Sequence, residues 1–235
     1  MIHHITCAAL ACAVLAAAPA QAAPAKAAPP KAMQVGPTTL SFRMLGDEIT
    51  VPTPAGYCEP TGPYADAAQV AAAGDSQNVT LLSLYNCAEM AAGAPSQHWA
   101  FIKAPKSLMS TRATLAQLLE GMGAVPESDL KAALEDPNIN EGVQKELSKV
   151  TGADVKVASS IVPVDRDANG YYLAGTVQMS AGESNIAAAV AVGFTAVKGH
   201  LITYNLYGPG QSPAAVRAVL DVARVETKRI VDANR

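Results

Sequence analysis

The sequence is poor in cysteine and has no excess of positive charge. Four cysteines among 235 residues are too few for a disulfide-dense miniprotein. Seventeen Lys and Arg stand against 20 Asp and Glu, and the resulting net charge of −3 argues against a nucleic-acid-binding or polybasic membrane-surface protein. Hydrophobic residues make up 50% of the chain and charged residues 16%, which excludes disorder of the whole chain.

Familiar signatures of catalysis are also missing from the sequence. The histidines beyond residue 22 are His98 and His200, and neither belongs to a His-Glu-x-x-His or His-x-His zinc motif. The sequence contains no Gly-x-Ser-x-Gly nucleophile motif. The glycine-rich segment 208–212 lacks the Gly-Lys-Ser/Thr ending of a phosphate-binding loop. We therefore favour a non-enzymatic protein without a cofactor. The alternative is a hydrolase-type enzyme with a site built from scattered residues, in which His98 or His200 is the base.

The N-terminus has the pattern of an export signal. Residues 5–18 are uncharged and mainly apolar, and a small-x-small sequence ends at Ala22. This pattern predicts a signal peptide over residues 1–22 with cleavage near Ala22, because the apolar stretch is too short to span a bilayer. A lipoprotein attached through Cys7 or Cys12 is the alternative. No later stretch is long and apolar enough to anchor the mature chain. We expect a periplasmic or secreted protein.

The composition changes again after the predicted signal peptide. Residues 23–38 are rich in Ala, Pro and Lys, which predicts a flexible leader that cannot form a core. The remaining residues, 39–235, contain no second linker of this kind. Their number suits one domain.

Two cysteines remain after the predicted cleavage, and the expected compartment indicates whether they form a disulfide. Cys58 and Cys87 are 29 residues apart, and an oxidising environment favours one structural disulfide between them. Two unpaired buried thiols are the alternative. A redox-active pair is disfavoured, because the spacing is not Cys-x-x-Cys.

Hydrophobic periodicity predicts an α+β fold. Alternation with a period of two marks strands at residues 39–52 (a hairpin), 78–87, 98–102, 155–164, 171–179, 186–197 and 200–207. Helical spacing marks residues 65–73, an insert at 110–151, and a C-terminal helix that begins near Ser212. We predict a single domain with an antiparallel sheet of about six to eight strands, ending in a meander, with the helices packed on it. Because residues 186–197 are apolar on both faces, we expect them to form the most buried strand.

A short acidic motif lies between two of the predicted strands. The segment 165–170 (DRDANG) places Asp165, Asp167 and Asn169 at the alternate positions of a calcium-binding loop. The twelfth position, however, is Thr176 where calcium loops have Glu. Asn-Gly between alternating segments is a strong hairpin signal, so we favour a solvated turn, with a calcium site as the alternative. We expect no other metal site.

Four tyrosines occur in the predicted C-terminal strands. If Tyr171, Tyr172, Tyr204 and Tyr207 shared an open face of the sheet, they would form a ligand groove or a partner surface. Packing within the core or across strands is the interpretation that we favour.

Two resemblances accompany these patterns. The segments VPTPAGYC (51–58) and TAVKGHLITYNLYGP (195–209), with Cys87 at the end of a strand, resemble small exported proteins of Gram-negative bacteria. The order hairpin, helix, strands, helices, antiparallel meander and helix also resembles the PsbP-like α/β sandwich. These resemblances imply a binding or assembly role and no catalytic residues. We thus expect a periplasmic binding or envelope-assembly module with a protein or small-molecule partner and no nucleic acid.

Overall fold

The computed structural model describes residues 38–235, so the predicted signal peptide and all but the last residue of the predicted leader lie outside the described residues. The strands are β1 (Thr39–Met44), β2 (Asp47–Pro52), β3 (Tyr57–Cys58), β4 (Asn78–Asn86), β5 (Trp99–Pro105), β6 (Val155–Arg166), β7 (Tyr171–Ala181), β8 (Ser184–Val197) and β9 (His200–Pro209). The α-helices are α1 (Pro63–Gly74), α2 (Cys87–Ala92), α3 (Leu115–Gly123), α4 (Glu127–Leu134), α5 (Pro137–Thr151) and α6 (Pro213–Ala233). A single 3₁₀ turn, Lys106–Leu108, follows β5.

The strands of this region form one large sheet and one separate hairpin. The large sheet has seven antiparallel strands in the order β3-β4-β5-β9-β8-β7-β6, and β1 pairs with β2 alone. The predicted α+β fold is confirmed, including the meander from β6 to β9 and the helical insert.

Each face of the large sheet carries its own hydrophobic core. Helices α1, α3, α4 and α5 cover one face, where Leu118 and Leu147 meet Phe194 in one cluster. The β1–β2 hairpin and α6 cover the other face, where Ile49 and Ile230 belong to the second cluster. The sheet is therefore the middle layer of three, which explains why its central strands are apolar on both faces.

Two of the three hairpins with two-residue turns have turns of the same kind. Leu45 and Gly46 have φ values of 49° and 95°, and Lys198 and Gly199 have φ values of 49° and 80°. Positive φ at both central residues is the mark of a type I′ turn, whose twist matches that of paired strands. Glycine at the second position makes this conformation accessible in both hairpins.

The helical insert begins and ends at local capping signals. Thr114 and Gln117 form a reciprocal capping box at the start of α3. Asn138 and Glu141 have the spacing of a capping box, which predicts that the third helix of the insert starts at Asn138, and this prediction is wrong. Helix α5 begins at Pro137, and Asp136 caps it by accepting a hydrogen bond from the backbone N–H of Asn138 at 2.9 Å. Proline at the first helical position favours this start.

None of the helices in the described part of the chain is both long and apolar enough to cross a membrane.

Two further details differ from the sequence-based expectation. Residues 188–197 of β8 are buried, but residues 184–187 alternate between exposed and half-buried. Strand β9 is buried along all but its last residue, because it is the central strand of the seven. Cys87, expected to end a strand, instead begins α2, with Asn86 as its N-cap.

Cys58 and Cys87 are joined in a disulfide with their Cα atoms 5.5 Å apart. The bridge connects the short edge strand β3 to the first residue of α2. It thereby closes the edge of the sheet where only two residues of β3 pair with β4.

Candidate functional site

His200 lies at the start of β9 with its side chain fully buried. Its Nε2 atom is 2.9 Å from Oδ2 of Asp47, and Nη1 of Arg112 is 2.7 Å from the same oxygen. Hydrogen bonds from His200 and Arg112 lower the pKa of the Asp47 carboxyl. Because Asp47 begins β2 and Arg112 also donates to the carbonyl of Lys198, the cluster fastens the β1–β2 hairpin to the β8–β9 turn. A buried ring in this position holds structure together and is shielded from a substrate.

His98 forms a second histidine–carboxylate pair, and this one is partly exposed. Its Nδ1 atom is 2.6 Å from Oε1 of Glu89, and the other oxygen of Glu89 accepts from the backbone N–H groups of Gln97 and His98 at 2.8 and 3.2 Å. Burial raises the pKa of Glu89, but these hydrogen bonds outweigh burial, and the pKa is lowered. The Ser96 hydroxyl donates to Glu89 and to the His98 carbonyl, each at 3.2 Å.

The order of these hydrogen bonds differs from that of a catalytic triad. A nucleophilic serine is activated by donating its proton toward the imidazole of the base. Ser96 donates to the carboxylate of Glu89 instead, and His98 also bonds to that carboxylate. The cluster therefore fixes the loop that precedes β5 and does not present an activated nucleophile.

The acidic motif forms the tight connection between β6 and β7. One carboxylate oxygen of Asp167 accepts from the backbone N–H groups of Asn169 and Gly170 at 2.7 and 3.0 Å, and the Tyr172 hydroxyl is 3.1 Å from each of its oxygens. Asp165 forms an ion pair with Arg224 of α6. Both carboxylates are thus engaged by protein groups. Within residues 38–235 there is no group of three or more His, Cys, Asp or Glu that could hold a metal ion.

The four tyrosines of the C-terminal strands do not form an open face. Tyr172, Tyr204 and Tyr207 are buried, and only Tyr171 is half-buried. Tyr207 stacks on Trp99 with the ring centroids 5.1 Å apart, in the core beneath the helical insert, whereas Tyr204 belongs to the core beneath α6. The tyrosine groove considered from the sequence is wrong, because strand alternation sends these side chains to both faces.

A cleft opens beside the half-buried Tyr171, and we call it the Arg166 cleft. It lies between α3 and α4 on one side and the adjoining ends of β6 and β7 on the other, and its volume is about 360 Å³. This volume is within the range of small-molecule sites. The lining residues are Met122, Gly123, Val125, Glu127, Leu130, Pro163, Val164, Asp165, Arg166 and Tyr171.

Arg166 supplies the positive charge of this cleft. It ends β6 opposite Tyr171 in the strand register, so the two side chains share the face that packs against the insert. Its guanidinium lies against the last turn of α3, where a Cβ atom added to Gly123 would be 2.4 Å from Nη1. The partial negative charge of a helix C-terminus favours a cation there. No carboxylate among residues 38–235 forms an ion pair with Arg166.

Tyr171 and an apolar floor complete the cleft. Burial raises the pKa of the Tyr171 hydroxyl, and the negative charge of Glu127 raises it further, against the opposing effect of Arg166. The hydroxyl therefore keeps its proton at neutral pH and remains a donor. Met122 and Leu130, with exposed fractions of 2% and 1%, are anchored in the core beneath it.

A second cleft, of about 290 Å³, has a different character. It lies at the far end of β8 and β9, and none of the described residues in its lining is charged. The lining residues are Pro95, Ser96, Gln97, Trp99, Asn185, Ile186, Ala187, Ala188, Gly208, Pro209 and Gly210. Of the two, the Arg166 cleft has the stronger means of orienting a ligand, because it combines one charge with an apolar floor.

The sequence pattern marked the segment of this cleft but not its cation. Of the predicted oxygen ligands, Asp165 lines the cleft, and so does Arg166, which the sequence analysis did not single out. The usable signal was strand alternation next to the Asn-Gly turn, since it places Arg166 and Tyr171 opposite each other on one face.

Comparisons with known proteins assign neither a family nor a function to this chain. No family model and no curated protein matches the sequence. The structure is similar to the solution structure of cyanobacterial PsbP (CyanoP) from Synechocystis sp. PCC 6803, with 14% sequence identity and a TM-score of 0.38. The alignment covers 83% of this chain and 95% of that chain. At this TM-score the similarity carries no conclusion about function.

Proposed function

We propose that the protein is an exported, non-enzymatic binding module that holds a small ligand in the Arg166 cleft. One observation carries this proposal: an arginine without a carboxylate partner in the described structure stands beside a protonated tyrosine, over an apolar floor. A cleft that combines apolar surface with a few polar groups is the usual form of a small-molecule site.

Export is supported by two independent features. The apolar, uncharged stretch 5–18 followed by a small-x-small sequence is typical of a cleaved signal peptide. The Cys58–Cys87 disulfide suits an oxidising compartment such as the periplasm. Fractionation of expressing cells tests the proposed export. A full-length chain that stays in the cytoplasm with Cys58 and Cys87 reduced would contradict it.

Binding is favoured over hydrolysis because both histidines already have structural partners. His200 is buried against Asp47, and His98 is held by a carboxylate that also fixes the local loop. A protein partner in envelope assembly is a further form that a binding role could take. The cleft favours a small ligand, because its floor is recessed between α3–α4 and the sheet.

The experiment maps ligand binding by two-dimensional NMR of the backbone amides. The purified protein is titrated separately with 1-octanol and with octanoate, which share an apolar chain and differ in charge. We expect at least one probe to produce saturable shifts concentrated at the residues that line the Arg166 cleft.

A pair of variants tests the location. Val164 lines the cleft and is 42% exposed, so Val164→Trp should fill the cleft and abolish the shifts. Val225 on α6 is 57% exposed and lies outside the cleft lining, so Val225→Trp is the matched control and should leave binding intact. If neither probe binds, or if Val164→Trp binds as well as the unmodified protein, the proposed function is wrong.

A further inference from the structure

We propose that the ligand of the Arg166 cleft is a monocarboxylate with an apolar body, and that the Arg166 guanidinium binds the carboxylate. This inference rests on the proposed function and specifies the ligand class. The guanidinium presents parallel N–H donors in a planar fork that matches the two oxygens of a carboxylate.

The charges around the cleft select a ligand with a single negative charge. Among the described residues of the lining, Arg166 is the only cation, and Glu127 and Asp165 are the acids. Asp165 is neutralised by Arg224, which leaves Glu127 as the uncompensated acid at the rim. A second negative charge on the ligand would add to the repulsion from Glu127 without a further cation to offset it, so a monoanion is favoured over a dianion.

Arg166 is exposed, but its guanidinium has a protein contact on one side before a ligand arrives. It lies against the C-terminal turn of α3, where the absence of a side chain on Gly123 leaves room for Nη1. The peptide carbonyls at this helix end attract the cation without forming an ion pair with it. Because the charge is positioned by packing rather than by a carboxylate, a ligand does not have to displace an internal partner.

Tyr171 supplies a second donor beside the guanidinium. It faces Arg166 in the strand register, and its hydroxyl makes no hydrogen bond to another described residue. Since burial and Glu127 keep it protonated, it donates to an anion and does not repel it. The two donors therefore approach a carboxylate from opposite strands of one hairpin.

The remaining surface of the cleft suits an apolar body. Met122, Val125 and Leu130 come from the helical insert, and Pro163 comes from β6. An aliphatic chain placed there gains hydrophobic free energy mainly from its own area removed from water, because Met122 and Leu130 are already buried. The polar end and the apolar end of the ligand thus have distinct places.

The test compares octanoate with 1-octanol, whose chains are equal in length. We expect octanoate to bind at least about tenfold more tightly, because hydrogen bonds to a charged group contribute more than those to a neutral one. Arg166→Gln should remove this preference and leave octanol binding unchanged. Arg217, an exposed arginine on α6 outside the cleft, provides the control Arg217→Gln, which should retain the full preference.

A second pair of variants leaves Arg166 itself in the protein. In Gly123→Ala the new Cβ must push the guanidinium away, since it would be 2.4 Å from Nη1. In Gly121→Ala, two residues earlier in α3, the new Cβ meets nothing within 4 Å. We expect Gly123→Ala to weaken octanoate binding at least about threefold and Gly121→Ala to leave it unchanged, with both variants folded by circular dichroism.

The outcomes separate this inference from the proposed function. If octanoate and octanol bind in the cleft with equal affinity, or if Arg166→Gln keeps the preference for octanoate, the ligand class is wrong while the binding function stands. If neither probe binds, both the binding function and the ligand class fail. A preference for octanoate that is lost in Arg166→Gln and reduced in Gly123→Ala supports the inference.

Discussion

An ion pair buried between α1 and the sheet provides a sharp test of how this fold is stabilised. Asp75 follows the last residue of α1, and its carboxylate is 2.9 Å from Nζ of Lys103 on β5. The side chains of Asp75 and Lys103 are 0% and 3% exposed. The carboxylate also accepts from the backbone N–H groups of Gln77 and Asn78 at 3.1 and 2.9 Å, and from the Asn78 side chain. One carboxylate thus pairs with the ammonium of Lys103 and also accepts hydrogen bonds from the backbone N–H groups of the turn that follows α1.

The change Asp75→Asn removes the negative charge. It also places an amide NH₂ group where the carboxylate accepted hydrogen bonds from the Lys103 ammonium and from two backbone N–H groups. Breaking a buried ion pair from one side typically costs about 3–5 kcal/mol, because the remaining charge stays buried without its oppositely charged partner. That is a large part of the roughly 5–15 kcal/mol by which domains are stable. For about 200 residues, the melting temperature should fall by on the order of 10 °C.

Urea unfolding, followed by circular dichroism and by the fluorescence of Trp99, measures this loss. Asp154 is exposed and outside the ion pairs, so Asp154→Asn is the control and should change the free energy of unfolding by less than about 0.5 kcal/mol. The double variant Asp75→Asn/Lys103→Met should recover part of the lost free energy of unfolding, because the Lys103 ammonium, which had lost its carboxylate, is removed as well. If Asp75→Asn matches the Asp154 control, the ion pair does not stabilise the fold as reasoned.

Two further predictions concern the cross-link and the pH dependence. Replacing both Cys58 and Cys87 by serine should lower the free energy of unfolding by about 3–4 kcal/mol, because the bridge closes a loop of 29 residues; an unchanged urea midpoint would contradict this. The lowered pKa of Asp47, caused first by its hydrogen bond with His200, means that its stabilising contribution is present above pH 3.8 and is lost as the pH falls through the lowered value. The acid-induced loss of melting temperature should therefore be shallower in Asp47→Asn than in the unmodified protein, and identical acid profiles would refute the role of this group.

The element types were predictable because each strand or helix carries its own periodicity. Strand β6, for example, alternates between more buried and exposed residues along its whole length, as expected of a segment that packs differently on its two faces. The position of β9 between β5 and β8 was not predictable, because it depends on contacts between segments about a hundred residues apart. Helix α5 shows the limit at short range, since Asp136 and Asn138 are both good N-caps and Pro137 decides between them.

The polar sites were harder to predict than the elements. Lys103 lies just beyond the predicted strand at residues 98–102, and its burial follows only from the extension of β5 to Pro105. Its partner Asp75 is 28 residues away, so neither residue marks the other in the sequence. Such a pair is fixed by the packing of α1 on the sheet, which local patterns do not encode.

The motif at residues 165–170 shows why a cluster of acids need not attract a cation. Asp165 lies opposite Tyr172 in the strand register and forms an ion pair with Arg224 of α6, whereas its neighbour Arg166 lies opposite Tyr171 and against the last turn of α3. The carboxylate of Asp167 accepts hydrogen bonds from the backbone N–H groups of Asn169 and Gly170, which need an acceptor in this tight turn. Both negative charges are used within the protein, and the arginine keeps its charge for the cleft. The same six residues that suggested a site for calcium therefore present, in the folded chain, a site for an anion.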